Sequence, residues 1–352
     1  MTQNLVEITG GVDTHKDTHT AAAIDSAGRL LGSAQFPADA AGYRRLLEWL
    51  QSLGSLVLVG IEGTGSYGAG LAGYLTAQSV QIVEIDRPDR KTRRHQGKSD
   101  PIDAAAAART ALAGYRTGTP KQRDGRIEAL RMLRIARRSA VAQRSDCMRQ
   151  IKAVVVTAPE ELRAQLQHLS DNQLLSTCCA ARPDSSRVAE PVQAAKLTLR
   201  SLARRHGALS VEIAALDKNI KPLVTEANPA LLALHGVGPD IAGQLLVTAG
   251  ENTDRLRSEG AFAMLCGVAP LPASSGRTDR HRLNRGGDRQ ANAALYRAVI
   301  VRMGSHPETR AYVQRRTTEG LKKKDIIRCL KRLLAREVYY LIRPQTPALH
   351  AA

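Results

Sequence analysis

The sequence predicts an α/β domain at the N-terminal end, followed by two mainly helical regions. Three observations predict it. Residues 5 to about 115 alternate between short apolar runs of strand type and stretches with helical periodicity. From about 123 to 228 the strand signals disappear and long helical patterns take over. A glycine-cornered turn, Gly236-Val237-Gly238-Pro239, then separates two further helical patterns. At 352 residues the chain is long enough for two or three cores rather than one.

Residues 6–12 read as a first strand, and 18–25 as a second after a polar turn. Ser26-Ala27-Gly28 is a tight turn into a third strand near 30–36. Asp39 is an N-cap for a helix over 40–53, which sets Tyr43, Leu46, Leu47 and Leu50 on one side. A strand over 56–61, a helix near 67–77, a strand over 81–86 and an alanine-rich helix from Asp100 follow. Three strands, then helix–strand–helix–strand–helix, is the order of a ribonuclease H-like domain.

The next segment carries Ile127, Leu130, Leu133 and Ile151 on a helix crowded with arginine, a solvated coiled-coil-like helix or a nucleic-acid and assembly helix. Pro159 and Pro183 break the run, and a second long helix over 191–226 returns antiparallel to the first. From Asn228 the glycine turn reads as a helix–hairpin–helix element or as a plain helical corner. The expected divisions are 1–120, 121–227, 228–345 and a tail over 346–352.

Lys and Arg number 51 against 33 Asp and Glu, a net charge of +18, which points to a polyanionic partner. Aromatics are only 3% of the chain, so binding through phosphate contacts fits better than a stacking platform for single strands. No apolar run approaches the roughly 20 residues that span a bilayer. Met1-Thr2-Gln3-Asn4 lacks the features of a signal peptide, so a cytoplasmic protein without a membrane partner is expected. Five cysteines without a CxxC pair are expected to be reduced and mostly buried.

The chemistry concentrates in two places. Asp13 ends the first strand, Glu62 ends the fourth and is followed by the flexible run Gly63-Thr64-Gly65-Ser66, and Asp100 and Asp103 lie one turn apart on one helix face. Each has a plain structural use: Asp100 before Pro101 suits an N-cap, Asp103 suits the helix dipole, Asp13 a turn and Glu62 a strand end. Together they are acids converging at one sheet edge, where hard divalent cations would offset their repulsion and serve phosphodiester chemistry. The glycine-rich run after Gly60 lacks a Gly-Lys-Ser/Thr ending, which leaves actin-like ATPases as a competing use of the same fold. The second place is 273–289, where Ser274 and Ser275 sit among arginines, as turn residues of a phosphate-binding loop or as a nucleophile with guanidinium support. His281 is the one candidate base there, and a lone histidine more often contacts phosphate.

These residues resemble the DEDD transposases of the insertion-sequence 110 family over nearly the whole chain. The carriers are Gly11-Val12-Asp13-Thr14-His15-Lys16, Ile61-Glu62-Gly63-Thr64-Gly65-Ser66-Tyr67-Gly68, Lys98-Ser99-Asp100-Pro101-Ile102-Asp103-Ala104, Gly236-Val237-Gly238-Pro239, Gly267-Val268-Ala269-Pro270, Ser275-Gly276, Arg285-Gly286-Gly287-Asp288-Arg289 and the basic run from Lys322 to Arg332. The resemblance implies a RuvC-like domain in which Asp13, Glu62, Asp100 and Asp103 bind two Mg²⁺ ions, with Mn²⁺ as a substitute. It implies a C-terminal transposase domain with a nucleophilic serine, here Ser275 before Gly276, with Ser274 as the alternative. Family members are recombinases guided by an element-encoded RNA that pairs with double-stranded donor and target DNA. They form a covalent phosphoserine link and act as homo-oligomers, dimers or tetramers, with acids and serine from different protomers. Arg126, Arg134, Arg137, Arg138, Lys152, Arg277, Arg280, Arg282, Arg285, Arg289, Lys322, Lys323 and Lys324 are the expected nucleic-acid contacts. A RuvC-like junction nuclease using water and a non-catalytic nucleic-acid-binding protein are the alternatives.

Overall fold

The computed structural model describes residues 6–85, 99–277 and 281–343. Asp86, Lys98, Arg280 and the expected tail over 346–352 lie outside the described residues. The chain divides into two compact units, Met1–Asp124 with Gly250–Arg257, and Gly125–Ala249 with Ser258–Ala352.

In the first unit, β1 (Glu7–Thr14), β2 (Thr18–Asp25) and β3 (Leu30–Pro37) form an antiparallel meander. Asp25 closes the β2–β3 turn by accepting from the backbone amides of Ala27 and Arg29. The expected cap forms: Asp39 accepts from the Gly42 amide at 2.7 Å and opens α1 (Ala40–Ser52). β4 (Ser55–Glu62), α2 (Ala69–Ala77), β5 (Ile82–Ile85), α3 (Asp100–Leu112) and the two-residue β6 (Thr117–Gly118) complete the unit. The described strands are ordered β3-β2-β1-β4-β5-β6, with β4 parallel to β1 and β5 parallel to β4. This mixed sheet is compatible with a ribonuclease H-like domain.

Alternation along the strands assigns the two faces. Ile8, Val12, Ala21, Ala23, Val59 and Ile61 pack with Leu46, Leu50, Leu71 and Leu75 of α1 and α2. Each of these leucines is fully buried, worth about 1.5–3 kcal/mol. The opposite face carries α3 and is built of small residues. A Cβ added at Gly11 would lie 2.1 Å from the Ala108 nitrogen and 2.3 Å from the Ala104 oxygen. One added at Gly60 would lie 2.8 Å from the Ala111 Cβ. Helix and strand backbones therefore touch, which explains both the paired glycines and the alanine content of α3.

Segment 250–257 belongs to this unit although it follows more than a hundred residues of helical chain. Asn252 fastens it, its Nδ2 donating to the Pro120 carbonyl at 2.9 Å and its Oδ1 accepting from the Gln122 amide at 3.1 Å.

The second unit is built on α4 (Arg126–Thr157) and α7 (Pro191–Ala227), an antiparallel pair with α5 (Glu160–Leu166) and α6 (Asp171–Ala180) between them in sequence. Ala140 and Cys147 meet Leu209 and Ile213 along the pair, and Ile151 and Val155 share a cluster with Leu199 and Ala203. Beyond it come α8 (Pro229–Ala233), α9 (Pro239–Ala249), α10 (Glu259–Leu265), the short strands β7 (Leu271–Pro272) and β8 (His281–Arg282), α11 (Arg289–Ser305), α12 (Pro307–Thr318) and α13 (Lys323–Ile342). The five cysteines are free thiols. Cys147, Cys178 and Cys266 are buried, and burial, aided by neighbouring Cys179, pushes the Cys178 thiol up to about 11.

The backbone contact at Gly11 yields a first test. Gly11→Ala should destabilise the protein by about 1–3 kcal/mol through overpacking, read as a lower midpoint in chemical denaturation. Gly73→Ala, where an added Cβ meets nothing within 4 Å, should leave the midpoint near that of the parent.

Candidate active site

The register that seats α3 also gathers the acids. Gly11 pairs with Gly60 across β1 and β4, and Val12 with Ile61. Asp13 and Glu62 are each two residues beyond a glycine that faces α3, so they share that face side by side. The helix stripe Asp100, Ala104, Ala108 climbs about 6 Å per step, close to the two-residue repeat of a strand at about 6.7 Å. It therefore runs in step with Gly11 and Asp13 beneath it, and its first turn ends over the acids.

Asp13, Glu62 and Asp103 are buried, while Asp100 is half-buried. Burial holds the Asp13 carboxyl above its ordinary value of 3.8; His15 opposes this, and Asp103 and Asp100 add to it by repulsion. Asp100 is not the N-cap that its Pro101 neighbour suggests. Ser99 takes the cap position without a side-chain hydrogen bond, which puts Asp100 and Asp103 both inside the first turn. The run after Glu62, expected to be flexible, is a hydrogen-bonded turn. The Ser66 and Gly68 amides donate to the Gly63 carbonyl at 2.8 and 3.2 Å, with Gly63 at φ +67. Thr14 Oγ1 donates to the Glu62 carbonyl at 2.8 Å and ties the two strand ends together.

Sequence reasoning assigned His15 no role. Its Nε2 lies 3.2 Å from Asp13 Oδ2 and 3.4 Å from Asp100 Oδ1. Ligand atoms of Asp13, His15 and Asp100 fall within 4.8 Å of one another, an arrangement able to hold a metal ion. The signal was available: on a strand, His15 shares a face with Asp13 two residues earlier.

Ser274 and Ser275 belong to the other unit. β7 and β8 pair antiparallel, Leu271 with Arg282 and Pro272 with His281, so both serines lie in the connecting loop. Ser274, Ser275, Gly276 and Arg277 are exposed, and Gly276 adopts φ +54. The Arg285–Arg289 motif has a structural half. A Cβ at Gly287 would lie 2.2 Å from the Gly267 nitrogen. Asp288 caps α11 through the amides of Gln290 and Ala291 and accepts from Thr248 Oγ1 at 2.7 Å.

Among the described residues, the expected nucleic-acid contacts separate into three groups. Arg138, Arg277, Arg282, Arg285, Arg289, Lys322, Lys323 and Lys324 are exposed. Arg134 and Arg137 instead turn inward within the second unit. Arg134 binds Asp240 at 2.9 Å and the Gln244 side chain, and Arg137 binds Asp217 and Asp240. Four partly buried charges stabilise one another there. Arg126 pairs with Glu226 at 3.3 Å and Lys152 with Asp171 at 2.7 Å, both on the surface.

A family model for the DEDD-type transposases of IS110 matches residues 10–158, and one for transposases of the IS116/IS110/IS902 family matches 228–314. The chain belongs to the IS110 family of transposases. A mini-circle protein of Streptomyces coelicolor, named as a transposase for IS117, is 25% identical over 378 residues, covering 91% of this chain and 90% of that protein. The 42 kDa protein of insertion element IS900 from Mycobacterium paratuberculosis is 24% identical over 95% of both chains. A pilin gene-inverting protein of Moraxella bovis is 30% identical over 132 residues, 37% of this chain and 41% of that one. The transposase is thus a DNA transposase or recombinase enzyme, with DNA as its substrate. The DEDD domain implies use of divalent metal, and the Asp13–His15–Asp100 group suits it as a mixed carboxylate and imidazole donor set. No helix among the described residues is long and apolar enough to cross a membrane.

The raised Asp13 carboxyl predicts a pH-dependent stability difference. A group raised in the folded state weakens the fold above the window between 3.8 and its folded value, and not below it. Asp13→Asn should therefore melt higher than the parent near pH 7 without divalent metal. That gain should vanish below pH 3.8, and the variant should lose most of the rise in melting temperature that added Mg²⁺ or Mn²⁺ gives the parent.

Proposed function

We propose that this transposase is an RNA-guided DNA recombinase that cleaves and rejoins strands through a phosphoserine link. The observation that carries the reading is the placing of Asp13 and Glu62 just beyond the last paired residues of two adjacent parallel strands, Val12 and Ile61, with Asp100 and Asp103 in the first turn of α3 close enough to act on the Asp13 carboxyl. Asp13, Glu62, Asp100 and Asp103 of a RuvC-like domain would hold divalent metal, Mg²⁺ or Mn²⁺. When bound, such ions supply neutralisation of charge on the scissile phosphate. Ser275, with Ser274 as its neighbour, supplies the attacking oxygen. Its Oγ forms a bond to phosphorus as the bond to the leaving strand oxygen breaks, and that oxygen takes up the proton. A strand hydroxyl attacking the phosphoserine then reseals DNA and returns the serine.

Exposure supports this role for the loop, since a nucleophile for a DNA backbone must be reachable by a wide duplex. The lysines at 322–324 support a polyanionic partner. They stand at the positive end of α13, where cations oppose the helix dipole instead of complementing it, so helix stability does not account for them. The exposed Arg277, Arg282, Arg285 and Arg289 add to the same surface chemistry. The glycine-cornered turn before α9 fits a helix–hairpin–helix role in holding backbone phosphate. An element-encoded RNA pairing with donor and target DNA would supply sequence choice, within a homodimer or homotetramer. The gene-inverting relative is consistent with strand exchange as the shared chemistry.

Cleavage assays on supercoiled plasmid bearing both element ends should separate the readings. Ser275→Ala should abolish recombination and the covalent protein–DNA adduct, with nucleic-acid binding retained. Recombination that survives in Ser275→Ala but not in Ser274→Ala would move the nucleophile by one residue. Cleavage surviving in both would make water the nucleophile and the protein a junction nuclease. Asp13→Ala or Glu62→Ala should lower cleavage by at least about a hundredfold, and full activity in either would remove the metal-dependent reading. For guidance, a single discrete RNA from the element's non-coding end should co-purify with the transposase. Heterogeneous cellular RNA in its place would sink that part.

A further inference from the structure

We propose that His15 is a nitrogen ligand of the divalent-cation site, so that Asp13, His15 and Asp100 hold a first-row transition dication of Mn²⁺ type in preference to Mg²⁺. The inference rests on the metal-dependent reading above and adds a donor that the four acids do not include. Three features of the His15 imidazole carry it.

The first is placement. β1 ends at Thr14, and the His15 amide donates to the Thr18 carbonyl at 3.0 Å, closing the β1–β2 turn. The turn fixes the backbone of His15, and its Nε2 lies among the acids, 3.2 Å from Asp13 and 3.4 Å from Asp100.

The second is alignment. Nε2 is shielded from solvent and 3.2 Å from a carboxylate oxygen, yet it makes no hydrogen bond of acceptable geometry. A histidine serving only to neutralise Asp13 would point its N–H along the line to the oxygen. Here one ligand atom each from Asp13, His15 and Asp100 lie within 4.8 Å of one another. The His15 side chain is 43% accessible.

The third is spacing. Ligands at right angles about an octahedral ion, with bonds of about 2.1 Å, stand about 3 Å apart. The nitrogen stands 3.2 and 3.4 Å from its two oxygen neighbours, so only a small inward adjustment brings all three to one ion. Mg²⁺ favours oxygen donors and sheds water reluctantly, whereas imidazole raises affinity for transition dications. A mixed nitrogen and oxygen set therefore tilts selectivity away from Mg²⁺.

Mn²⁺ is the probe, because its electron spin reports the nuclei of its ligands. Pulsed electron paramagnetic resonance on the full-length, untagged protein with one equivalent of Mn²⁺ should show coupling to ¹⁴N. In protein grown with ¹⁵N-histidine the coupling should change to that of ¹⁵N, a test that needs no substitution. His15→Gln should lose the coupling and bind Mn²⁺ at least about tenfold more weakly, with Mg²⁺ affinity changed by less than about threefold. Bound Mn²⁺ without nitrogen coupling, or coupling that persists in His15→Gln, would overturn the proposal and leave the acid site standing. If the parent and Asp13→Asn alike fail to bind Mn²⁺, the metal-dependent reading falls, and this one with it. Should His15→Gln lose cleavage while keeping full Mn²⁺ affinity, His15 acts on the nucleophile instead, which also overturns the ligand role.

Discussion

Contact between the backbone of α3 and the backbones of β1 and β4 is the constraint on which the first unit depends. Gly11 and Gly60 leave no side chain between strand and helix, and Ala104, Ala107, Ala108 and Ala111 supply almost none from above. Such close approach forgoes the large side chains that normally stabilise an α/β interface. What it provides is height: α3 sits low enough on the sheet for its first turn to bring Asp100 and Asp103 to the level of Asp13 and Glu62. A helix riding higher on leucines would stand several ångströms farther from the strand ends. The small residues of α3 and the charges at its tip are thus one arrangement, and the apolar cost is borne by α1 and α2 on the other face.

Charge plays a different part in the second unit. Asp240, at the start of α9, receives Arg134 and Arg137 from α4 and Arg297 from α11. Three cations on one carboxylate would repel one another in isolation. Asp217 of α7 takes a share of Arg137, and the Gln244 side chain and the Asp240 carbonyl satisfy Arg134. A partly buried network of this kind specifies orientation more than it adds stability. It fixes α9 against the long helical pair and leaves Arg138, Arg277, Arg282, Arg285 and Arg289 exposed.

The serine-bearing loop is anchored at its root. Gly287 crosses Gly267 at backbone distance, Asn284 Nδ2 donates to the Met264 carbonyl at 2.9 Å, and Asp288 ties the start of α11 to Thr248. Two short strands then carry the loop outward. Half of a motif that reads as a phosphate loop is thereby absorbed in holding the hairpin, and its arginines remain outside.

Much of this was legible from the residues. Alternation and helical periodicity located the strands β1 to β5 and the helices α1, α4 and α7 to within a few residues, because each buries one regular face and that face imposes its period on the sequence. Asp39 announced its cap, and the four acids announced themselves by standing at element ends. The sequence could not reveal β6 or the return of 250–257 to the first unit, since two residues of strand and one asparagine leave no periodic trace. Nor could it show that Arg134 and Arg137 turn inward, because an arginine facing a phosphate and one facing a buried carboxylate look alike in a chain. His15 is the clearest case. Sequence alone determined that acids of one kind would gather at a sheet edge; only the fold, by closing the β1–β2 turn and lowering α3 onto two glycines, decided that an imidazole would stand between two of them.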